Sequence, residues 1–324
     1  MTDTATDVIP LARPVLGPEE ESAVIEVLRS GDLSLGPRVP AFEREFAEWV
    51  GASHASAVSS GTAGLHLALR AVGVSRGDEV VTSPFSFVAS ANVMLFEGAR
   101  PVFADIDART LNLDPRAAAA AVTERTTALL PVHIFGYPAD LPAFERMGLP
   151  IVEDACEALG AAHADGARVG ARGNPAAFGF YANKQLTTGE GGMVTLGEAA
   201  MKERIDSERN QGRAPDMGWL DHDRLGFNYR LSDVASAIGV AQLERLDAML
   251  AGRAQVASWY RELLAGAEDL ELPCEDSGGD VRGLARRDVR PGDRDHAGAA
   301  GYSKGAGKVL QRAGIRPGRQ VQVS

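Results

Sequence analysis

Lys184 sits between the aromatic run Phe178-Gly-Phe-Tyr181 and the polar, glycine-rich run Thr187-Thr-Gly-Glu-Gly-Gly192. A lysine half enclosed in this way is partly desolvated. Desolvation disfavours the charged form and frees an amine to attack a carbonyl carbon, which is what a Schiff-base lysine does. The same stretch also reads as a surface lysine following a short apolar strand. Two further groups bear on the choice. Ser59-Ser-Gly-Thr-Ala-Gly64 is a small-residue turn entering a helix. Glycine lets backbone approach an anion closely, and the free N–H groups and dipole of a helix start favour phosphate, although many such turns serve packing alone. Asp154 closes the apolar run Ile151-Val-Glu-Asp154. A carboxylate at a strand end can hold a protonated ring nitrogen, the partner that pyridoxal phosphate needs if its pyridine is to act as an electron sink. It can equally cap the next segment. Together, in this chain order, a phosphate turn, a strand-end acid and an enclosed amine fit a cofactor-dependent enzyme.

The elements that must position these groups follow from periodicity and punctuation. Residues 18–30 read as a helix, opened by Pro18, acidic in its first turn and closed by Gly31. Residues 39–50 form a second, with Phe42, Phe46 and Trp49 or Val50 on one face, and residues 60–72 become a buried helix. Short apolar strands then alternate with helices: strands at 79–82, 100–104, 127–132, 150–154 and 192–196, and helices at 87–96, 117–122 and 141–147. Helices follow at 198–210 and 231–265, the latter with Val234, Ile238, Ala241 and Leu246 or Met249 at core spacing. Repeated strand–helix order implies an α/β fold, a mostly parallel sheet covered by helices on both faces. Ligands of such sheets gather at the carboxyl ends of the strands, where Asp154 and the turn at Ser60 are expected.

With 324 residues and 45% apolar residues, the chain is large enough for one large α/β domain and a smaller one. A net charge of −11 argues against a nucleic-acid binder. Cys156 and Cys274 are the only cysteines, which excludes a disulfide framework and points to a reducing compartment, the cytoplasm. The start of the chain lacks the order of a signal peptide, and no apolar run reaches the ~18 residues of a membrane span. No metal site is expected.

Other reactive-looking residues have plainer readings. His54, His163 and His222 are expected on the surface or in loops, and Cys156 as a small buried residue. His133 lies at a strand end among the site elements and is a candidate for a role there. The Lys/Glu pairs of 198–208 suggest a solvated helix face. Lys304-Gly-Ala-Gly-Lys-Val309 is no nucleotide loop: the pattern needs glycine where Tyr302 stands and Ser or Thr where Val309 stands.

An ordered series of motifs goes further. It runs through Ile9-Pro-Leu-Ala-Arg-Pro14, Gly36-Pro37 with Phe42-Glu43, Ser60-Gly-Thr-Ala-Gly-Leu-His-Leu-Ala-Leu69 and Ser83-Pro-Phe-Ser-Phe-Val-Ala89. It continues with Pro131-Val-His-Ile-Phe-Gly136, Val152-Glu-Asp-Ala-Cys-Glu-Ala-Leu-Gly160, the Lys184 stretch, Gly226-Phe-Asn-Tyr-Arg-Leu-Ser-Asp233 and Gln242-Leu243. In these, as far as about Pro273, the chain resembles the DegT/DnrJ/EryC1/StrS sugar aminotransferases, pyridoxal-phosphate enzymes of fold type I. The resemblance implies that Lys184 binds the cofactor and later moves the proton between the substrate Cα and the cofactor. It implies that Asp154 pairs with the pyridinium, that Gly61, Thr62 and Ala63 hold the phosphate, and that Phe87 stacks on the ring. Glu157 stands near the cofactor's 3-hydroxyl, where many members carry Gln or His. Gly179 stands where many carry a phosphate-binding Ser. Asn228 matches a residue that reaches the phosphate site of the neighbouring subunit, so a homodimer with shared sites is implied. Members that dehydrate sugars carry His at the position of Lys184, so lysine implies amino transfer. The expected reaction moves an amino group from glutamate to a keto group of a nucleotide-linked sugar. A cyclic polyol ketone is the alternative acceptor.

The resemblance places a large cofactor-binding domain at 1–250, including an N-terminal segment 1–35, and the start of a small C-terminal domain at 251–276. Residues 277–324 depart from the family. They hold ten Lys/Arg and four Asp/Glu, which leaves 23 and 40 of the chain's 33 and 44 in residues 1–276. Ten glycines and the lack of Phe and Trp give this basic tail little to bury, so disorder and an incomplete small domain are expected. A frameshift near Gly279 would leave such a tail, as would natural divergence. The second functional reading is accordingly a truncated, non-catalytic homologue that binds the cofactor or pairs with an intact subunit.

Overall fold

The computed structural model describes residues 13–214 and 221–265, together with two short strands at 270–271 and 286–287. Residues 266–269 and 272–276 of the expected small domain, the basic tail apart from 286–287, and residues 9–12 of the first motif lie outside the described residues.

Helix α1 (Pro18–Ser30) starts where Pro18 needs no N–H partner and where Glu20 accepts the Gly17 amide at 2.7 Å; it ends at Gly31, whose φ of 82° suits glycine. Helix α2 (Arg38–Val50) buries Phe42, Phe46 and Val50, with Trp49 only partly covered. Strand β1 (His54–Val58) leads into helix α3 (Gly61–Ala71). Strand β2 (Glu79–Thr82), helix α4 (Ala89–Phe96), strand β3 (Arg100–Phe103), helix α5 (Pro115–Ala121) and strand β4 (Thr126–Leu130) follow. Next come helix α6 (Leu141–Glu145) and strands β5 (Glu153–Asp154), β6 (Ala176–Gly179) and β7 (Gly192–Leu196). Helices α7 (Ala199–Arg209), α8 (Asp233–Glu244) and α9 (Leu246–Leu264) complete the main body, and β8 (Leu270–Glu271) pairs with β9 (Arg286–Arg287).

The strands run in the order β1-β7-β6-β5 and β3-β2-β4, and bridges at Leu129–Ile151 and Val132–Asp154 join β4 to β5 in parallel. Among the named strands of this sheet, β7 alone runs against the rest. The expected mostly parallel sheet is therefore present. Alternation along the strands shows that both faces are covered. Val58, Ala128, Leu130, Val152, Ala177 and Val194 join one cluster with Leu65, Leu67, Val93 and Met94. Their neighbours Ala57, Phe178 and Met193 join Phe42, Phe46 and Leu243, and Leu129 and Ile151 join Leu141 and Phe144.

Several expectations change. Strand β1 was not expected, because His-Ala-Ser-Ala-Val carries little β-branched signal; it is held by its antiparallel pairing with β7. The helix expected at 87–96 begins at Ala89, leaving Phe87 outside it. The helix expected at 231–265 breaks at Arg245. On α8, Val234 and Ile238 are only partly covered, whereas Asp233, Ser236, Ala237, Gly239 and Gln242 are buried. This helix packs against both α1 and α2, and a face of small residues lets them approach. The acid–base pairs of α7 are more than a solvated face. Glu208 is buried and accepts from Arg70 at 2.6 Å and Arg204 at 2.9 Å, and Lys202 bonds Glu43 at 3.2 Å.

Candidate active site

The candidate residues converge because their strands end at one edge of the sheet. Gly192 pairs with both Val58 and Gly179, which aligns the carboxyl ends of β1 and β6. Thr82 aligns with Leu130 and Val132 with Asp154, which brings the ends of β2, β4 and β5 to the same edge.

At the end of β1, Ser60 caps α3, its Oγ accepting the Ala63 amide at 3.1 Å. The amides of Gly61 and Thr62 lie in the first helical turn, where no intrahelical acceptor exists. Gly61 allows the turn to lie against β6: a Cβ there would come 2.7 Å from Cys156 Sγ and 3.2 Å from the Gly179 Cα. A bare, positively polarised helix start is thus held against a strand end.

Asp154 is buried. Its Oδ2 accepts from Ser90 Oγ at 2.7 Å and its Oδ1 from the Cys156 amide at 3.2 Å, and Ser86 Oγ lies 2.7 Å from Ser90 Oγ. A carboxylate this well fixed, on the sheet face that α4 covers, keeps its direction when a cation is offered to it. Ser90 was not singled out from the sequence. A serine inside a helix resembles ordinary filler, and only its place one residue beyond the Ser83–Ala89 motif hinted at a role.

Lys184 follows the end of β6, with its amide bonded to the Tyr181 carbonyl at 2.9 Å and its carbonyl to Arg253 Nη2 at 3.0 Å. Phe178 and Phe180 do not wall the lysine as expected; they turn into the core against Phe42 and Phe46. The side chain is 21% exposed and its Nζ lies 3.5 Å from Glu157 Oε1, an ion-pair partner not anticipated from the sequence. Glu157 Oε2 in turn accepts the Phe135 amide at 3.2 Å. Cys156 lies amid these groups, and burial together with the nearby Asp154 pushes its thiol well above the usual range, so it serves as packing.

Phe87 is 64% exposed on the segment that leaves β2 at the same edge. Asn228 is also exposed. It pairs across to Asn210, and the Ser59 amide donates to the Tyr229 carbonyl at 2.8 Å, so the segment carrying Asn228 is tied to the chain's own glycine turn.

The histidines divide differently from expectation. His133 is fully buried, with Nδ1 accepting the Ala139 amide at 2.9 Å and Nε2 facing Glu153 Oε2 at 3.0 Å. It braces the face of β5 opposite Asp154. His163 is buried at 6% exposure rather than on the surface; it packs against His133, and burial lowers its pKa to about 4.

Buried acid, enclosed amine and open helix start on one edge have the donor set that pyridoxal phosphate requires. Comparison with known proteins identifies the family. The spore coat polysaccharide biosynthesis protein SpsC of Bacillus subtilis is 41% identical over 266 residues, covering 78% of this chain and 68% of its own. The GDP-perosamine synthase of Caulobacter vibrioides is 41% identical over 262 residues, covering 79% and 70%. The crystal structure of S. venezuelae DesV, in complex with a ketimine intermediate, superposes with a TM-score of 0.79 at 35% identity, covering 92% of this chain and 78% of that one. Residues 14–282 match the family's sequence profile, and the chain belongs to the DegT/DnrJ/EryC1/StrS aminotransferase family.

Proposed function

We propose that this aminotransferase works with pyridoxal 5′-phosphate and carries an amino group from glutamate to the keto carbon of a nucleotide-linked sugar. The observation that supports the cofactor most directly is Asp154, a buried carboxylate oriented by Ser90 at the sheet edge that also holds Lys184 and the α3 start. When bound, the cofactor supplies the electron sink that lets a proton leave the amino-bearing carbon. In this reading Gly61, Thr62 and Ala63 bind the phosphate, with Ser60 Oγ sharing the Ala63 amide. Asp154 holds the ring nitrogen, Phe87 covers the ring, and Glu157 stands beside Lys184. Lys184 fixes the cofactor and afterwards carries the proton from one carbon to the other. The sugar acceptor is supported by likeness to a relative, the GDP-perosamine synthase.

Asn228 is assigned to the phosphate site of a second copy, in a homodimer whose active sites are shared. Its exposure suits that role. The described residues contain no helix long and apolar enough to cross a membrane, and the low cysteine content suits the cytoplasm.

Purified protein supplied with pyridoxal phosphate should develop the visible absorbance of a lysine-bound cofactor, and glutamate should bleach it. Lys184→Ala should abolish both. Turnover by that variant would sink the role of Lys184, and cofactor binding without bleaching by glutamate would identify a non-catalytic homologue. A screen of nucleotide-linked keto sugars against cyclic polyol ketones then identifies the acceptor.

A further inference from the structure

The carboxylate of Glu157 touches two things at once. Oε1 lies 3.5 Å from Lys184 Nζ, and Oε2 accepts the amide of Phe135 at 3.2 Å. Phe135 is an aromatic residue in the left-handed region, with φ 53° and ψ 22°. Such a conformation is costly for a residue with a Cβ and persists where its surroundings hold it. Most of the surrounding turn is held from elsewhere. Ile134 N–H donates to Asn112 Oδ1 at 3.0 Å, Gly136 N–H to the His133 carbonyl at 3.2 Å, and Tyr137 N–H to the Ile134 carbonyl at 2.9 Å. The Phe135 amide alone among these four ends on a side chain that also contacts Lys184. The turn and residue 157 also meet through backbone. A Cβ at Gly136 would sit 3.4 Å from the Glu157 carbonyl, and that carbonyl accepts Gln185 Nε2 at 2.6 Å. The Phe135 ring stands edge-on to Phe85, their centroids 5.8 Å apart, and is partly exposed at the sheet edge that carries Lys184.

We propose that Glu157 is a positioning residue that clasps the Phe135 turn, and that the Lys184 ammonium holds the clasp in place. The Phe85–Phe135 aromatic rim then responds to the state of Lys184. When Lys184 Nζ gives up a proton and condenses with a carbonyl compound, a C=N bond forms and the carbonyl oxygen leaves as water; the carboxylate then loses its ammonium partner and the turn loses part of its restraint. Acceptor fit would depend on Glu157 without Glu157 touching the acceptor. This rests on Lys184 being the reacting amine, but it is testable without turnover.

The experiment is amide hydrogen exchange at single-residue resolution on the cofactor-free full chain. Glu157→Ala should speed exchange at the Phe135 amide about tenfold, the scale of a hydrogen bond to a charged group, with Ile134 and Tyr137 unchanged. Glu157→Gln keeps an acceptor without the charge and should restore most of the protection. Lys184→Ala keeps the acceptor but frees it, and should give an intermediate rate. Wild-type protection at Phe135 in Glu157→Ala would overturn the clasp, as would equal acceleration at all three amides, which would mark a merely structural role. Wild-type protection in Lys184→Ala would overturn the link to the lysine. None of these outcomes depends on which sugar, or whether any sugar, is the acceptor.

Discussion

Gly179 offers a test in which the proposed site should improve. A Cβ at this position would meet Cys156 Sγ at 3.5 Å, Cys156 Cβ at 3.6 Å and the Gly61 Cα at 3.8 Å. All three are ordinary van der Waals contacts, so a Cβ fits without moving the strand. Gly179→Ser therefore places a hydroxyl beside the turn whose amides are assigned to the phosphate. A hydrogen bond to a charged group is worth about 1.5–3 kcal/mol, and fixing one short rotamer costs well under about 1 kcal/mol. The expected net gain is about 1–2 kcal/mol, a fall in the pyridoxal-phosphate Kd of roughly five- to thirtyfold. The assay is equilibrium titration of cofactor-free protein, followed by visible absorbance. Gly179→Ala separates the hydroxyl from the Cβ and should leave Kd within about twofold. Gly61→Ala is the converse. Its Cβ would fall 2.7 Å from Cys156 Sγ and 3.2 Å from the Gly179 backbone, so turn and strand must part. Overpacking of this kind costs about 1–3 kcal/mol, and cofactor affinity should drop. If Gly179→Ser binds no tighter than Gly179→Ala while its Tm is unchanged, the edge of β6 does not line an anion site and the assignment of the Gly61 turn fails.

Removing the Ser90 hydroxyl with Ser90→Ala deprives the buried Asp154 of its 2.7 Å donor and should slow the glutamate half-reaction about tenfold, with Tm shifted by only a few degrees; an unchanged rate would show that Asp154 needs no such support. His163 has a folded pKa of about 4 against an ordinary 6.5, so the unfolded chain binds its proton first as the pH falls. Stability from the neutral, buried ring is fully present above pH 6.5 and is lost as the pH falls towards 4, by about 3 kcal/mol in all. Urea unfolding should show a shallower acid slope for His163→Asn over that window, and an equal slope would refute the linkage. On α8, a Cβ at Gly239 would enter the Phe42 ring at 2.6 Å, so Gly239→Ala should destabilise by about 1–2 kcal/mol despite alanine's helix preference, read as a lower urea midpoint.

The parts of the candidate site that were legible in the sequence are those set by a local pattern. Asp154 ends an apolar run, the glycines of 60–64 open a helix, and Lys184 follows a short strand. Each can be read within a window of a few residues because strand ends and helix starts have local signatures. What was not legible depends on pairs distant in sequence. Ser90 meets Asp154 across 64 positions, and Glu157 meets Phe135 across 22. His163 looked like a loop residue because it is one; its burial comes from packing against His133, which no periodicity records. Strand β1 was missed for a related reason. Its alanines and serine are small because α2 and α3 pack against it, so the tertiary contact that makes it a strand also removes the usual strand residues.

The strand that breaks the parallel order explains how three separated segments come to one edge of the sheet. Parallel neighbours need a crossover connection, whereas antiparallel neighbours can be joined at the same edge. Because β7 runs against β6, the chain between them, residues 180–191, stays at the sheet edge, and Lys184 lies on it. Because β7 also runs against β1, β1 and β6 lie on either side of it with their carboxyl ends level at Gly192. That position admits no side chain: a Cβ there would lie 2.7 Å from the Phe178 carbonyl and 2.7 Å from the Ser60 carbonyl. Gly192 thus lets the helix start after Ser60 close upon the end of β6, while the same reversal of direction returns the lysine to the edge where β5 presents Asp154. Among the named strands of this sheet, the single antiparallel one is therefore what brings amine, acid and glycine turn to the same edge.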